Sequence, residues 1–313
     1  MPRSPLRLLD GTLDPESGEG GESAAHRFVL GGPFGAEPAE TSAERLARFA
    51  DAGGLLVETS HSYAAGQAEA AVGQWLRKNP GTLGVVTKVG HDTTGADIPL
   101  GAATVHAHVR AARENLGVET IDVLLYHCDD PARPVAELAD TLVSLVESGL
   151  ARRVGASNWQ AHRLSALAVE LAARGHTPVA SYQFGLAEPD PALLGGSLHA
   201  DTGILDVVRA HRLPLLAWSS QARGYFARTG PRETHGGPDP YDTEDNRARR
   251  HRCRELAAQL GTRPETVALA WTLRHPRVWP SIGPRTTVQI DRSLEARRLP
   301  LTEAQVRWLR HGR

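Results

Sequence analysis

From residue 27 almost to the C-terminus, short apolar stretches alternate with amphipathic ones, and this rhythm limits the folds open to the chain more than any other feature. The apolar stretches at residues 28–30, 55–58, 85–88, 123–127, 153–156, 179–183, 215–218 and 278–282 are rich in branched side chains and read as buried strands. Between them, residues 43–52, 68–77, 105–116, 135–148, 161–174 and 267–274 space their apolar residues three and four apart, which predicts helices with one buried face. Thr41, with Glu44 three residues on as in a capping box, and Thr302 stand where helix N-caps are expected. Strands that alternate with helices form parallel sheets, because a parallel connection needs a long crossover. Eight such units in series predict an α/β chain closed into a (β/α)8 TIM barrel, a single domain, in preference to an open sheet.

The rival architecture is a doubly wound dinucleotide fold, which needs a Gly-rich turn directly after its first strand and leading into a helix. Here that strand is followed by Gly31-Gly32-Pro33-Phe34-Gly35, and Pro33 with the gap before Thr41 spoils the geometry. Residues 1–26 precede the rhythm and read as a mobile arm or hairpin, since 12–25 are rich in Gly, Ser and Glu; residues 27–313 form the barrel. Residues 229–246, broken by Gly236, Gly237, Pro238 and Pro240, predict a long loop over the active face.

Charge narrows the partner. The 35 Lys and Arg residues nearly cancel the 36 Asp and Glu residues, for a net charge of −1, which offers no field suited to nucleic acid or an anionic membrane. A small-molecule partner is expected. Cys128 and Cys253 form neither a disulfide framework nor a metal-ligand spacing, no apolar run is long enough to span a bilayer, and no signal peptide pattern opens the chain. A cytoplasmic location is expected.

In a (β/α)8 barrel the site lies where the strands end at their C-termini, so reactive side chains there are the candidates. Glu58 ends the second strand, Tyr63 follows in its loop, Lys88 ends the third and His127 the fourth. Lys88 is one of only two lysines, in a chain that otherwise uses arginine. A compact ammonium shifts its pKa readily on burial, so a lone Lys at a strand end suggests a task that arginine cannot serve. A phenol is a poor acid at neutral pH, but a neighbouring ammonium favours its phenolate and a carboxylate can hold that ammonium.

At these residues, and across about residues 28–296, the chain resembles the aldo-keto reductase family. Gly53-Gly54-Leu55-Leu56-Val57-Glu58-Thr59-Ser60-His61-Ser62-Tyr63 is similar to that family's G-x-N-x-x-D-T-A-x-x-Y-G motif; Thr87-Lys88 and Asp122-Val123-Leu124-Leu125-Tyr126-His127 are further matches. The resemblance implies carbonyl reduction with NADPH, NADH not being excluded: Tyr63 as general acid, Lys88 lowering its pKa, His127 orienting the carbonyl and Glu58 holding Lys88. The family has Asp at the Glu58 position, and the extra methylene is expected to move the carboxylate by about 1 Å, which matters in a preorganised site. That change keeps a second reading in view, a nucleotide-binding regulatory subunit with little turnover resembling the potassium channel β subunits.

The cofactor site implied by the resemblance follows in order along the chain. Gly155-Ala156-Ser157-Asn158-Trp159 is similar to the family's G-V-S-N-F, so Ser157 and Asn158, with Gln183 on the next strand, would hold the nicotinamide carboxamide. Trp218 would stack on the nicotinamide, and Ser219, Gln221, Arg223 and Gly224 would wrap the pyrophosphate. Gly283, Arg285 and Gln289 fall in a segment that resembles the loop for the adenosine 2′-phosphate, with Gln289 where many members have Arg and Ser293 where they usually have Asn.

Other readings of these residues are weaker. His61, His91 and His127 do not have the spacing of ligands converging on a metal, and no metal is expected. Cys128 points to the opposite strand face from His127, so the pair forms no nucleophilic dyad and Cys128 is expected between barrel and helix. Residues 247–254, RARRHRCR, read as a solvated helix face.

Overall fold

The computed structural model describes residues 26–229 and 237–313, so the expected N-terminal arm, apart from His26, and the middle of the 229–246 loop lie outside the described residues. Eight parallel strands close into a barrel in the order of the sequence: β1 (Val29–Leu30), β2 (Leu56–Glu58), β3 (Gly84–Val89), β4 (Ile121–Tyr126), β5 (Ala151–Ser157), β6 (Val179–Gln183), β7 (Leu215–Trp218) and β8 (Val278–Ile282). Closure is direct, with Val29 and Leu30 of β1 in register with Ser281 and Ile282 of β8. Helices α1 (Ala39–Asp51), α2 (Ala68–Lys78), α3 (Ala102–Leu116), α4 (Val135–Glu147), α5 (Ala161–Ala173) and α6 (Thr202–Ala210) follow the first six strands. After β7 come α7 (Glu244–Leu260) and α8 (Pro264–Leu273), and after β8 come α9 (Thr287–Glu295) and α10 (Glu303–His311).

The two faces of each strand serve two cores. Val29, Leu56, Val86, Val123, Leu125, Val179, Leu216 and Trp279 meet inside the barrel, while their strand neighbours, such as Val57, Val85 and Leu124, pack outward against the helices. Because side chains alternate along a strand, the residue two positions beyond an interior residue also points inward, one layer nearer the C-terminal rim. Gly155 lets β5 approach β6, since a Cβ there would overlap the Val179 carbonyl.

Several expected boundaries move. Thr41 lies inside α1 and caps nothing, because Pro38 at the N-cap, with φ −55°, starts the helix three residues earlier. Thr302 does cap α10, in a capping box with Gln305. His127 falls one residue past β4, although its N–H still donates to Val89 O at 2.7 Å. The 229–246 loop ends at Thr243, whose side chain caps α7 by accepting from Asn246 N. The basic run on α7 is a solvated face only in part: Arg247 and His251 are exposed, but the run also has a buried side. Arg249 is buried and paired with Glu188, whose carboxylate also meets Arg310 and His199, and these partners hold it ionised well below the usual carboxylate range. Arg252 donates to Leu309 O and so ties α7 to α10. Among the described residues, no helix is long and apolar enough to cross a membrane.

Candidate active site

The period-two rule builds the centre of the site. Leu56, Val86, Leu125, Leu216 and Trp279 line the interior, so Glu58, Lys88, His127, Trp218 and Ser281 project from the rim above them into one cavity of about 990 Å³. Tyr63 enters from the loop after β2, where Ala64 and Ala65 have φ of 51° and 52°. Among the described residues, three of the eight non-glycine residues with positive φ, namely Asn158, Ser219 and Arg223, line this cavity, and Ala64, Ala65 and Ala222 each adjoin a lining residue or its neighbour in the chain. Such backbone is costly and persists where surrounding contacts impose it, which concentrates it at functional sites.

Glu58, Lys88 and Tyr63 form a connected chain of groups. Lys88 Nζ is 2.5 Å from Glu58 Oε1 and donates to Tyr63 Oη at 3.1 Å and to Thr59 O at 3.4 Å. Burial pushes the Lys88 pKa down, but Glu58 and Tyr63 outweigh it, and the net shift is upward. The ammonium therefore stays charged at a position only 1% exposed. The second Glu58 oxygen accepts from Ser281 Oγ at 2.6 Å. The extra methylene of Glu58 thus does not break its contact with Lys88, and β8 supplies the hydroxyl that fixes the longer side chain.

His127 faces the Tyr63 ring edge-on, with centroids 5.6 Å apart. Burial, with Lys88 and His91 adding to it, lowers its pKa from 6.5 to about 2, so the imidazole is neutral. Its Nδ1 is 3.1 Å from Ser60 Oγ. The sequence reading missed Ser60, although it stands where the family motif has Ala; it also missed Ser281, which the step of two from Trp279 could have revealed.

The opposite wall is built from loops and helix starts. Asn158 donates from Nδ2 to His127 O and Ser157 Oγ, and its Oδ1 accepts from Leu198 N, so it joins three loops at the cavity. Ser219, Gln221, Arg223 and Gly224 line the turn after β7, and Gln221 Nε2 reaches Ser293 Oγ on α9 at 3.1 Å. Gly283, Arg285 and Gln289 also line the cavity, with Gln289 Oε1 accepting from Arg285 N at 2.6 Å. Arg292 belongs to this wall and was missed; with Gln289 and Ser293 it makes an i, i+3, i+4 face on α9. Among the described residues, Arg223, Arg285 and Arg292 have no carboxylate partner. Added Cβ atoms at Gly224 and Gly283 would meet nothing within 4 Å and would project into free space.

One expected residue does not reach the wall. Gln183 is fully buried behind it, with Oε1 at 2.6 Å from His199 Nδ1 and further bonds to Ala187 O and Tyr241. Of the three histidines weighed as a metal set, His61 turns away to Glu69, while the His91 ring lies tilted against that of His127. Cys128 is half-buried against the loop after β3, its thiol donating to Gly90 O at 3.3 Å, and is not packed between barrel and helix.

The sequence profile of the aldo/keto reductase family matches residues 28–311. An aldo-keto reductase of Emericella nidulans is 28% identical over 300 residues, 88% of this chain and 73% of that protein. Norsolorinic acid reductase A of Aspergillus parasiticus is 26% identical over 85% of this chain and 70% of its own length. A glycerol dehydrogenase from Gluconobacter oxydans shares the fold with a TM-score of 0.76 at 22% identity, covering 92% of this chain and 93% of that one.

Proposed function

Because the chain belongs to the aldo/keto reductase family, we propose that this oxidoreductase uses NADP(H) to reduce an aldehyde or ketone, with Tyr63 as the general acid. The observation that carries the reading is the buried chain Glu58–Lys88–Tyr63, in which a held ammonium touches a phenol at the open end of the cavity. A bound dihydronicotinamide supplies the hydride. Tyr63 Oη gives its proton to the carbonyl oxygen, and Lys88 Nζ stabilises the negative charge that this leaves on the phenol oxygen. Glu58 keeps Lys88 charged and in place, and Ser281 keeps Glu58 in place.

His127 orients the carbonyl. Ser60 Oγ accepts from Ser62 N and lies 3.1 Å from His127 Nδ1, so its proton is available to Nδ1. A neutral imidazole that accepts at Nδ1 carries its proton on Nε2, the nitrogen left to donate to a substrate oxygen.

The cavity suits a dinucleotide phosphate. Ser157 and Asn158 offer donors and acceptors to an amide, Trp218 offers an aromatic face, and Ser219, Gln221, Arg223 and Gly224 surround the room for a pyrophosphate. Arg285 and Arg292, without a carboxylate partner among the described residues, would bind the 2′-phosphate that separates NADPH from NADH, and Gln289 orients that loop. Gln183 holds its neighbours from behind the wall. The reading places the enzyme in the cytoplasm, consistent with free thiols at Cys128 and Cys253, acting on a small-molecule carbonyl compound without nucleic acid or membrane.

The test is oxidation of NADPH and of NADH with a panel of aromatic and aliphatic aldehydes, comparing the protein with Tyr63→Phe. The expected result is NADPH oxidation that falls roughly 10²- to 10⁴-fold in the variant while NADPH affinity is kept. Tight NADPH binding without turnover across the panel returns the regulatory-subunit reading, and equal rates in the variant remove Tyr63 from its role.

A further inference from the structure

Beside the catalytic imidazole, three donors of different chemistry converge on one point. His91 Nε2 lies 2.9 Å from Asp97 Oδ1, and the nitrogen, the carboxylate oxygen and the Cys128 sulfur all lie within 4.8 Å of one another. The backbone holds this arrangement without a ligand. His91 and Asp97 form an antiparallel bridge, and Asp92 Oδ1 closes the turn between them by accepting from Thr94 N, Thr94 Oγ1 and Ala96 N. Cys128 follows β4, where Trp159 Nε1 donates to its carbonyl at 3.0 Å. An ion pair alone does not account for the cluster, because Asp97 is 75% exposed and a pair at such a surface contributes little.

We propose that His91, Asp97 and Cys128 form a binding site for a divalent cation of the Zn(II) type, with the fourth position open to water on the exposed Asp97 side. An imidazole, a carboxylate and a thiolate match a borderline tetrahedral ion and not magnesium or calcium, which take oxygen ligands. Bond lengths of about 2.0–2.3 Å in a tetrahedron place donors roughly 3.4 Å apart. The 2.9 Å pair must therefore open slightly and the widest separation close by about 1 Å, which side-chain rotation supplies. On binding, the Cys128 S–H proton leaves to solvent and a sulfur–metal bond takes its place.

Occupancy reaches the active site through one ring. The His91 and His127 rings lie 4.3 Å apart at 37°, so coordination at His91 Nε2 pins the surface against which His127 rests and adds positive charge beside it. A bound ion therefore slows carbonyl reduction. That consequence rests on the function proposed above, whereas the binding itself does not.

The experiment titrates untagged, cofactor-free protein with Co(II) as a spectroscopic probe and with Zn(II) against a chromophoric chelator. The expected result is a thiolate-to-cobalt charge-transfer band with the visible bands of a tetrahedral ion, the former lost in Cys128→Ser. Zn(II) affinity should fall at least about tenfold in Asp97→Asn, whose exposed side chain can change without disturbing the fold. No charge-transfer band, or one that survives in Cys128→Ser, overturns the site and assigns any bound metal to other histidines. Zn(II) binding that leaves NADPH-dependent turnover unchanged overturns the link to His127.

Discussion

The two walls of the cavity are made differently. On the β2–β4 side, Glu58 and Lys88 stand at strand ends with Ser281 from β8, nearly sealed from solvent, and already satisfy one another, while Tyr63 caps the chain of groups from its loop at the open end. On the side of the β7 and β8 loops, Arg223, Arg285 and Arg292 line the cavity and none of the three is ion-paired among the described residues, although Glu265 lines the same cavity. The first wall is a finished device that needs only a substrate oxygen. The second has cations left to pair, and on the function proposed above a phosphate-bearing cofactor is the anion that completes it. Preorganisation and binding are thus separated across the barrel, so each can be damaged without the other.

The sharpest way to break that separation is at Lys88. In Lys88→Met the Glu58 carboxylate is left buried without its cation, and losing one partner of a buried pair costs about 3–5 kcal/mol. Stability measured by urea denaturation should fall by that order, turnover should fall roughly 10²-fold or more, and NADPH affinity should hold. Adding Glu58→Gln should restore much of the stability but none of the turnover. A Lys88→Met protein as stable as the parent would show that Glu58 escapes to solvent and that this wall is not a closed unit.

The complementary change is on the other wall. Arg285→Ala and Arg292→Ala should each weaken NADPH binding by about tenfold or more, the scale of a charge-assisted hydrogen bond of about 1.5–3 kcal/mol. NADH binding should stay as it was, and the NADPH affinity that remains should depend less on salt. Equal losses for both cofactors would place these side chains at the pyrophosphate and not at the 2′-phosphate.

The same contrast decides what was legible in the sequence. Glu58, Lys88, His127 and Trp218 could be read because a period of two carries the buried face of each strand to its rim, and that periodicity is local. The barrel could be read for the same reason, since its strands and helices announce themselves by spacing. Gln183 obeys the spacing too, yet its amide is occupied from the irregular loop that follows β6, by Ala187 O and by His199, and no periodicity announces how that loop folds back. Arg249 looked solvated because its partner Glu188 lies 61 residues away in the chain. Thr41 carried a capping signal that Pro38 overrode by fixing φ at the true start of α1. What stayed hidden was long-range pairing between loops, including the meeting of His91, Asp97 and Cys128.

The smallest expected effect lies outside both walls and sharpens the comparison by showing charge that serves only the fold. Glu69 on α2 is fully buried, bonds Thr87 at 2.7 Å and lies 3.5 Å from His61 Nδ1. The groups facing His61 are Glu69, Asp92 in the loop after β3 and His108 on α3, whose ring lies 4.7 Å away. The hydrogen bond to Glu69 raises the His61 pKa above 6.5 despite burial, while burial and then His61 lower that of His108. A raised histidine stabilises the fold fully below its unfolded pKa, and this contribution is lost as pH rises through the folded value. Stability measured from pH 6 to 9 should therefore decline by no more than about 1 kcal/mol on account of this pair, which solvent partly screens. In His61→Asn that decline should vanish while turnover at neutral pH holds. The opposite contribution of His108, lost as pH falls below 6.5, should persist in the variant, so an unchanged slope on the alkaline side would mean that His61 is not the group that titrates.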